Sequence, residues 1–436
     1  MGSEWKTAKL TDHYEIRSGL SKPAKDFGSG YPFLTFKDVF YNYFTPDTLG
    51  DLVESTEKDR VGCSVNRGDV FLTRTSETMN ELGMSCVALK DYENSTFNGF
   101  CKRLRPRAGS DLVPEYVGYY LRSPLFRRSM MAFSTMSTRA SLNNEMISRL
   151  DISYPSPAEQ VEIARVLKTL DDKIFLNNQI NQTLEQMAQA IFKSWFVDFD
   201  PVKAKMNGEQ PEGMDAATAS LFPEKLDSET GIPDDWKLSE IGDEVTVVGG
   251  GTPSKKNDDF WVDGHIHWTS PKDLSGVQDK VLLDTASKLT EAGLKKVSSG
   301  LLPIDTVLLS SRAPVGYLAL AKVPTAINQG YIAMKCEKEL PPEFVLQWCV
   351  HRMDEIEQRA SGSTFAEISK KNFKPISVVV PSEEVLSAYQ KLVKPLYDAI
   401  TSNVRQSKQL STLRDTLLPK LLSGEIELGQ SVEVPE

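Results

Sequence analysis

GGGTPSKK (249–256) gathers three glycines, a threonine and two lysines, the residue types that cradle phosphate. Its spacing does not fit GxxxxGK[ST] and a proline interrupts it, which argues against a nucleotide-binding loop. Two readings stay open: a glycine turn brought close to a nucleic-acid backbone, or a plain connection between strands. His265 and His267 share one face of a strand-like run, but no third ligand is near in sequence, which argues against a metal. Four histidines in 436 residues give no Ser–His or Cys–His set. These residues predict a reader, not a catalyst.

The reader candidates come in clusters. The first half offers Lys37, Arg74 and Thr75 in TRTS (73–76), Asn98, Arg103 and Arg105 in KRLRPR (102–107), and Thr138, Arg139 and Asn143 in STRASLNN (137–144). The second half offers Thr252, Lys255 and Lys256, then Lys272, Arg312 in SSRAP, Asn328 and Gln329 in INQGY, and Thr364, Lys370 and Lys371 in STFAEISKKN. Arg forks onto guanine edges, Asn and Gln onto adenine, and Ser, Thr and Lys hold phosphates. Any one of these cations alone reads as a solvated surface charge. Their recurrence at matching places is what lifts the group. DFDP (198–201) has the acidic-proline outline of a DNA amino-methyltransferase tetrad, but lacks the aromatic and second proline that would grip a flipped base.

What positions these clusters is written twice. YPSPAEQ (154–160) and VVPSEEV (379–385) each precede a long helical run. Aligning Pro155 with Pro381 gives an offset of 381 − 155 = 226, which also pairs Asp172 with Asp398, Asn177 with Asn403 and Leu184 with Leu410. Upstream, Trp5 answers Trp236, Lys37-Asp38 answers Lys272-Asp273, and Pro114-Glu115-Tyr116-Val117 answers Pro342-Glu343-Phe344-Val345. In both halves, short apolar runs separated by turn residues predict strands: VFLTR (70–74), SCVALK and FCKRLRP in the first, TVLLSS (306–311), YLALAKV and YIAMKC in the second. Each long run carries apolar residues at spacings of three and four, and each is about 55 Å if unbroken. Ser156, Pro157 and Glu159 predict the start of the first, while Pro419 should kink or end the second and Gly424 should cap it. Such stripes need a partner helix, and the simplest is each other. Residues 200–235 read as a connector with one short helix near 214–221.

A net charge of −10 looks wrong for a nucleic-acid binder until it is located. Residues 151–235 hold 7 Lys+Arg against 16 Asp+Glu, while 1–150 hold 20 against 18 and 236–375 hold 17 against 18. The acid excess thus sits in the first helix and the connector, leaving the two mixed regions near neutral. Five scattered cysteines without a CxxC pair read as reduced. With no apolar run long enough to span a membrane and no signal-like start, a cytoplasmic address is expected.

Four stretches in order, GGGTPSKKN…FW…HWTSPKDL (249–274), TRTS with FNGFCKRLRP, FKSWFVDFDPVKAKMNGEQPEGM (192–214) and LRDTLLPKLLSGEIEL (413–428), resemble the specificity (S) subunit of type I restriction-modification systems. The resemblance covers essentially the whole chain. It implies an α+β chain with two mixed α/β target-recognition domains, at 1–153 and 236–378. Two long antiparallel coiled-coil-like helices, at 154–199 and 379–424, would join them in a pseudo-twofold repeat, with a linker at 200–235 and a tail at 425–436. It implies double-stranded DNA as target, two modification (M) subunits docked on the helices, and restriction (R) subunits beyond. The helix residues expected to meet partners are Leu184, Met187, Ile191, Trp195, Leu410, Leu413 and Leu417. No cofactor is expected in this chain; S-adenosylmethionine would sit on M subunits and ATP with Mg on R subunits. The alternative from another class is a two-site protein scaffold that reads no DNA, and a lone DNA methyltransferase stands third.

Overall fold

The strand that opens each half is closed by the strand that leads into each long helix. In a computed structural model that describes residues 5–76, 81–132, 140–362 and 366–428, Lys6–Lys9 pairs antiparallel with Asp151–Tyr154. Lys237–Glu240 pairs in the same way with Ser377–Val380. The chain divides into two compact units, one running to Lys173 and resuming at Gln409, the other Ile174–Lys408. Both divisions fall inside the long helices, so each unit contains a piece of both.

The two units repeat one plan. The first has a four-stranded sheet in the order Tyr14–Ser18, Cys101–Pro106, Val70–Thr73, Ser85–Val87, and a three-stranded sheet in the order Asp51–Val53, Phe27–Leu34, Thr96–Phe97. The second has a five-stranded sheet, Thr246–Val248, Tyr331–Lys335, Thr306–Ser311, Val315–Ala321, Val281–Leu282. Beside it lies a three-stranded one, Ser287–Leu289, Ile266–Thr269, Thr325–Ile327. The runs VFLT and TVLLSS are buried throughout, as continuous apolar runs at a sheet centre must be. Register fixes the correspondence. Thr73 stands opposite Cys101, and Ser310 opposite Tyr331. Arg74 therefore matches Ser311, and Arg312 falls one residue further on. By sequence alone SSRAP (310–314) places Arg312 roughly where Arg74 sits, and the ladder corrects that pairing by one residue.

Both long helices have 40 residues, Pro157–Phe196 and Glu383–Leu422. Ser156 starts the first by accepting the Glu159 N–H, and Ser382 starts the second by accepting that of Val385. Pro419 does not end the second helix. Proline removes one backbone donor, but Leu418, Leu421 and Leu422 around it are locked into the first unit's core. Gly424, at φ 74°, follows the end as expected. Within the second unit the helices meet through a buried polar seam: Asn177 donates to Gln406 at 2.9 Å, Asn403 to Asn181 at 2.9 Å, and Tyr397 to Glu185 at 2.8 Å. The partner numbers fall as the first helix rises, so the pair is antiparallel. Buried polar pairs at such a seam penalise any slipped register. PEFVLQWCVHRMDEIEQ (342–358) reads in sequence as one helix, but it is broken in two, Pro342–His351 and Met353–Gln358. Among the described residues, no helix is long and apolar enough to cross a membrane.

Candidate nucleic-acid interface

The candidate readers are gathered by a short relay of backbone hydrogen bonds, present in both units. In the first, Thr35 and Asp38 form a capping box that starts the helix Phe36–Tyr41. The residue before that cap, Leu34, accepts the Asn98 N–H at 3.0 Å; Phe100 accepts the Arg74 N–H at 2.7 Å, and Arg74 accepts the Leu142 N–H at 2.8 Å. In the second, Ser270 and Asp273 form the capping box of the helix Pro271–Leu274. Thr269 accepts the Asn328 N–H at 2.9 Å, Gly330 accepts the Ser311 N–H at 2.8 Å, and Ser311 accepts the Ile368 N–H at 3.0 Å. Each relay ends at a matching cap, Asn143 accepting the Met146 N–H and Ser369 accepting the Asn372 N–H. Lys37, Arg74, Thr75, Asn98 and Asn143 are thereby drawn onto one connected edge. Lys272, Arg312, Asn328, Gln329, Lys370 and Lys371 are drawn onto its counterpart.

The glycine-rich stretch joins the second edge. A Cβ on Gly250 would land on the Ile327 carbonyl, so only glycine permits the approach. Gly251 then donates to Ile327 O at 2.9 Å, and Trp268 Nε1 donates to Gly251 O at 3.1 Å. Lys370 Nζ lies against Gly249. The first unit holds the same device, missed in the sequence: Gly19 is pressed onto the Asn98 carbonyl and Leu20 donates to Phe97 O at 2.8 Å. The signal was available, since SGLSKPAKDF (18–27) answers GGGTPSKKND (249–258) at an offset of 249 − 18 = 231.

In the second unit, Thr252, Lys255, Lys272, Asn328 and Gln329 all line one cleft of about 860 Å³, with Trp268, Asp273 and Asp284. Lys256 is exposed just outside it. Asn328 Oδ1 accepts the Gly330 N–H at 2.8 Å, and Asn98 Oδ1 accepts the Phe100 N–H at 2.8 Å. These turns commit the amide oxygens, and among the described residues no acceptor meets either amide N–H group. His267 meets Thr285 and Asp284, and His265 meets Glu291. Among the described residues, His, Cys, Asp and Glu nowhere gather in threes that could hold a metal ion.

Several expectations need correction. Arg103 is 4% exposed, donates to Ser64 O at 2.6 Å, and burial lowers its pKa. Arg105 closes a two-pronged bond onto the fully buried Asp69, at 2.8 and 2.6 Å. Both hold the fold and neither is free to read. Arg122, in the basic run RSPLFRR (122–128) that reads in sequence as a further cation cluster, likewise donates to four backbone carbonyls, those of Val39, Phe40, Asn42 and Ser85. Thr138, Arg139 and Thr364 lie outside the described residues. Of the helix positions expected to meet partners, Trp195 is buried, and Leu184 and Ile191 pack on the second core. Leu417 packs on the first core and Leu410 is half-buried. Only Met187 and Leu413 are exposed, at 47% and 46%. Helical periodicity marks an apolar face without saying whose apolar face it meets.

A family model described as "Type I restriction modification DNA specificity domain" matches residues 2–186 and 233–410. The two matched stretches are offset by 233 − 2 = 231 and 410 − 186 = 224, which brackets the internal repeat. The chain is 28% identical to the type I restriction enzyme HindI specificity subunit of Haemophilus influenzae, over 97% of this chain and 100% of that one. It is 26% identical to the MjaIX specificity subunit of Methanocaldococcus jannaschii, over 98% and 94%. In fold it is similar to the crystal structure of a type I restriction-modification S subunit from M. genitalium, with a TM-score of 0.57, 14% identity and 96% of each chain covered.

Proposed function

Because the chain belongs to the type I restriction modification DNA specificity family, we propose that it is the non-catalytic subunit that reads a duplex DNA target in two separate parts, one with each unit. The observation that carries this reading is the doubled relay that brings capping box, Asn turn and sheet-end loop together. The backbone wiring is the same in both units and the side chains mounted on it differ, which suits one task performed on two unlike half-sites. Lysines and threonines supply phosphate contacts that set position, and the amides and arginines supply contacts to base edges.

Two modification subunits dock on the long helices, carry S-adenosylmethionine and methylate adenine, and restriction subunits add ATP- and Mg-dependent cleavage, all in the cytoplasm. The exposed face of the first helix, Leu176, Ile180 and Met187, suits the docking better than the inward-facing Leu184. Helix length sets the gap between half-sites: deleting one heptad from both helices shifts the preferred gap and leaves the half-sites unchanged, read by selection from random duplexes.

Duplex binding by the full chain with its modification subunits, measured at rising salt, tests the reading. Log affinity should fall linearly with log salt as phosphate contacts release counterions. A flat response would favour a scaffold that holds proteins without reading DNA.

A further inference from the structure

The carboxylate and side-chain amide oxygens that line the cleft of the second unit are all engaged by the protein itself. Asp273 accepts from the Ser270 N–H and hydroxyl, at 2.8 and 3.0 Å, and from the Ala286 N–H at 2.9 Å. Asp284 accepts from Lys288, Lys408 and the Thr285 N–H. Asn328 Oδ1 is held by the Gly330 N–H, and Gln329 Oε1 by the Thr252 hydroxyl at 2.6 Å. Each carboxylate and amide group on this wall is thus already accepting from the protein itself. The donors are not engaged: among the described residues, no acceptor meets Asn328 Nδ2, Gln329 Nε2 or the ammonium groups of Lys255 and Lys272.

We infer that this cleft reads guanine. Guanine shows two neighbouring acceptors in the major groove, O6 and N7; adenine replaces one with the N6 donor, and cytosine shows its N4 donor. With the Asn328 and Gln329 amide oxygens already bonded within the protein, these two side chains present donors and match acceptors better than those amino groups. Thymine shows a single acceptor, O4, to two consecutive amides. The Asn328 and Gln329 amides match guanine's pair, and Lys255 and Lys272 take the flanking phosphates. Composition alone suggested an adenine fork for these residues, but the turn that commits Asn328 Oδ1 removes one prong. Thr252 is the positioning residue, since its hydroxyl decides which end of the Gln329 amide faces outward. This inference rests on the DNA-reading role and adds the base to it.

Selection of bound duplexes from a random pool, by the full chain with its modification subunits, separates the two claims. Gln329 and Thr252 are exposed, so their variants fold. The half-site altered by Gln329→Ala should contain a guanine. A half-site without one overturns the guanine assignment and leaves DNA reading intact, whereas no enriched sequence at all overturns both. Replacing that guanine with 7-deazaguanine, which lacks the N7 acceptor, should weaken wild-type binding about tenfold and Gln329→Ala binding far less. An unchanged wild-type affinity means that the wall meets only phosphate, and the inference fails. Thr252→Val frees the amide to turn and should admit adenine at the same position. Continued exclusion of adenine overturns the locked-amide account.

Discussion

The turn at Asn98 and the turn at Asn328 have the same backbone and almost nothing else in common. Each asparagine donates its N–H to the residue before a capped helix and folds its side-chain oxygen back two residues on. Yet Gly99 stands where the second unit has Gln329, and an exposed Phe100 stands where it has a buried Gly330. One step along, Arg74 replaces Ser311 and Thr75 replaces Arg312. Main-chain bonds are indifferent to side chains, so they can be kept while the reading surface changes. The framework is the constant part of this molecule and the side chains on the turns are its variable part.

The comparison breaks first at its foundations. Asp69 is fully buried under Arg105, whereas its neighbour in the plan, Asp305, is part-exposed and paired with Lys322 at 2.6 Å. Asp69→Ala leaves an uncompensated guanidinium and should cost about 3–5 kcal/mol. Asp305→Ala should cost less, because the carboxylate removed is itself part-exposed and its attraction to Lys322 is partly screened by solvent. Chemical denaturation of the two variants, monitored for each unit separately, reads the difference. Next comes the glycine contact. Gly19→Ala and Gly250→Ala each drive a methyl group into a backbone carbonyl and should cost about 1–3 kcal/mol. Each should erase one half-site from the selected sequences and spare the other; loss of both from either change would deny the units their independence.

Exchanging side chains sharpens the comparison at little energetic cost. Installing Ser and Arg at positions 74 and 75, as in the second unit, should change stability by less than about 0.5 kcal/mol. It should alter the first half-site alone, again read by selection. The smallest effect concerns Glu343, whose counterpart Glu115 pairs with Arg67 at 2.7 Å. Glu343 is 1% exposed with Oε2 unpaired, and burial raises its pKa. A raised carboxyl pKa means that ionisation opposes folding. The penalty is absent below the ordinary glutamate range and full above the raised value. Glu343→Gln should therefore lift the melting temperature slightly at pH 7 and leave it unchanged at pH 4, measured by calorimetry.

The strands, both long helices and the repeat were legible in the sequence because period and punctuation are local properties. Thr35 with Asp38 and Ser270 with Asp273 could be matched for the same reason. Arg103 and Arg105 misled, because their partners Ser64 and Asp69 lie some 40 residues away and only the folded sheet brings them together. Leu184, Ile191 and Trp195 misled because an apolar face looks alike whether it covers its own core or another protein. The register of Arg74 required the ladder itself, since a single residue of slippage is invisible to alignment by eye.

The first unit resumes at Gln409, and its core includes Leu418, Leu421 and Leu422. A ribosome making this chain delivers the second unit whole, as one uninterrupted segment, before those three leucines emerge. The first unit, although begun earliest, is completed last. The part of its core that Leu418, Leu421 and Leu422 cover stays open until then, so a chain cut short near residue 408 would carry one complete unit and one lacking those three leucines.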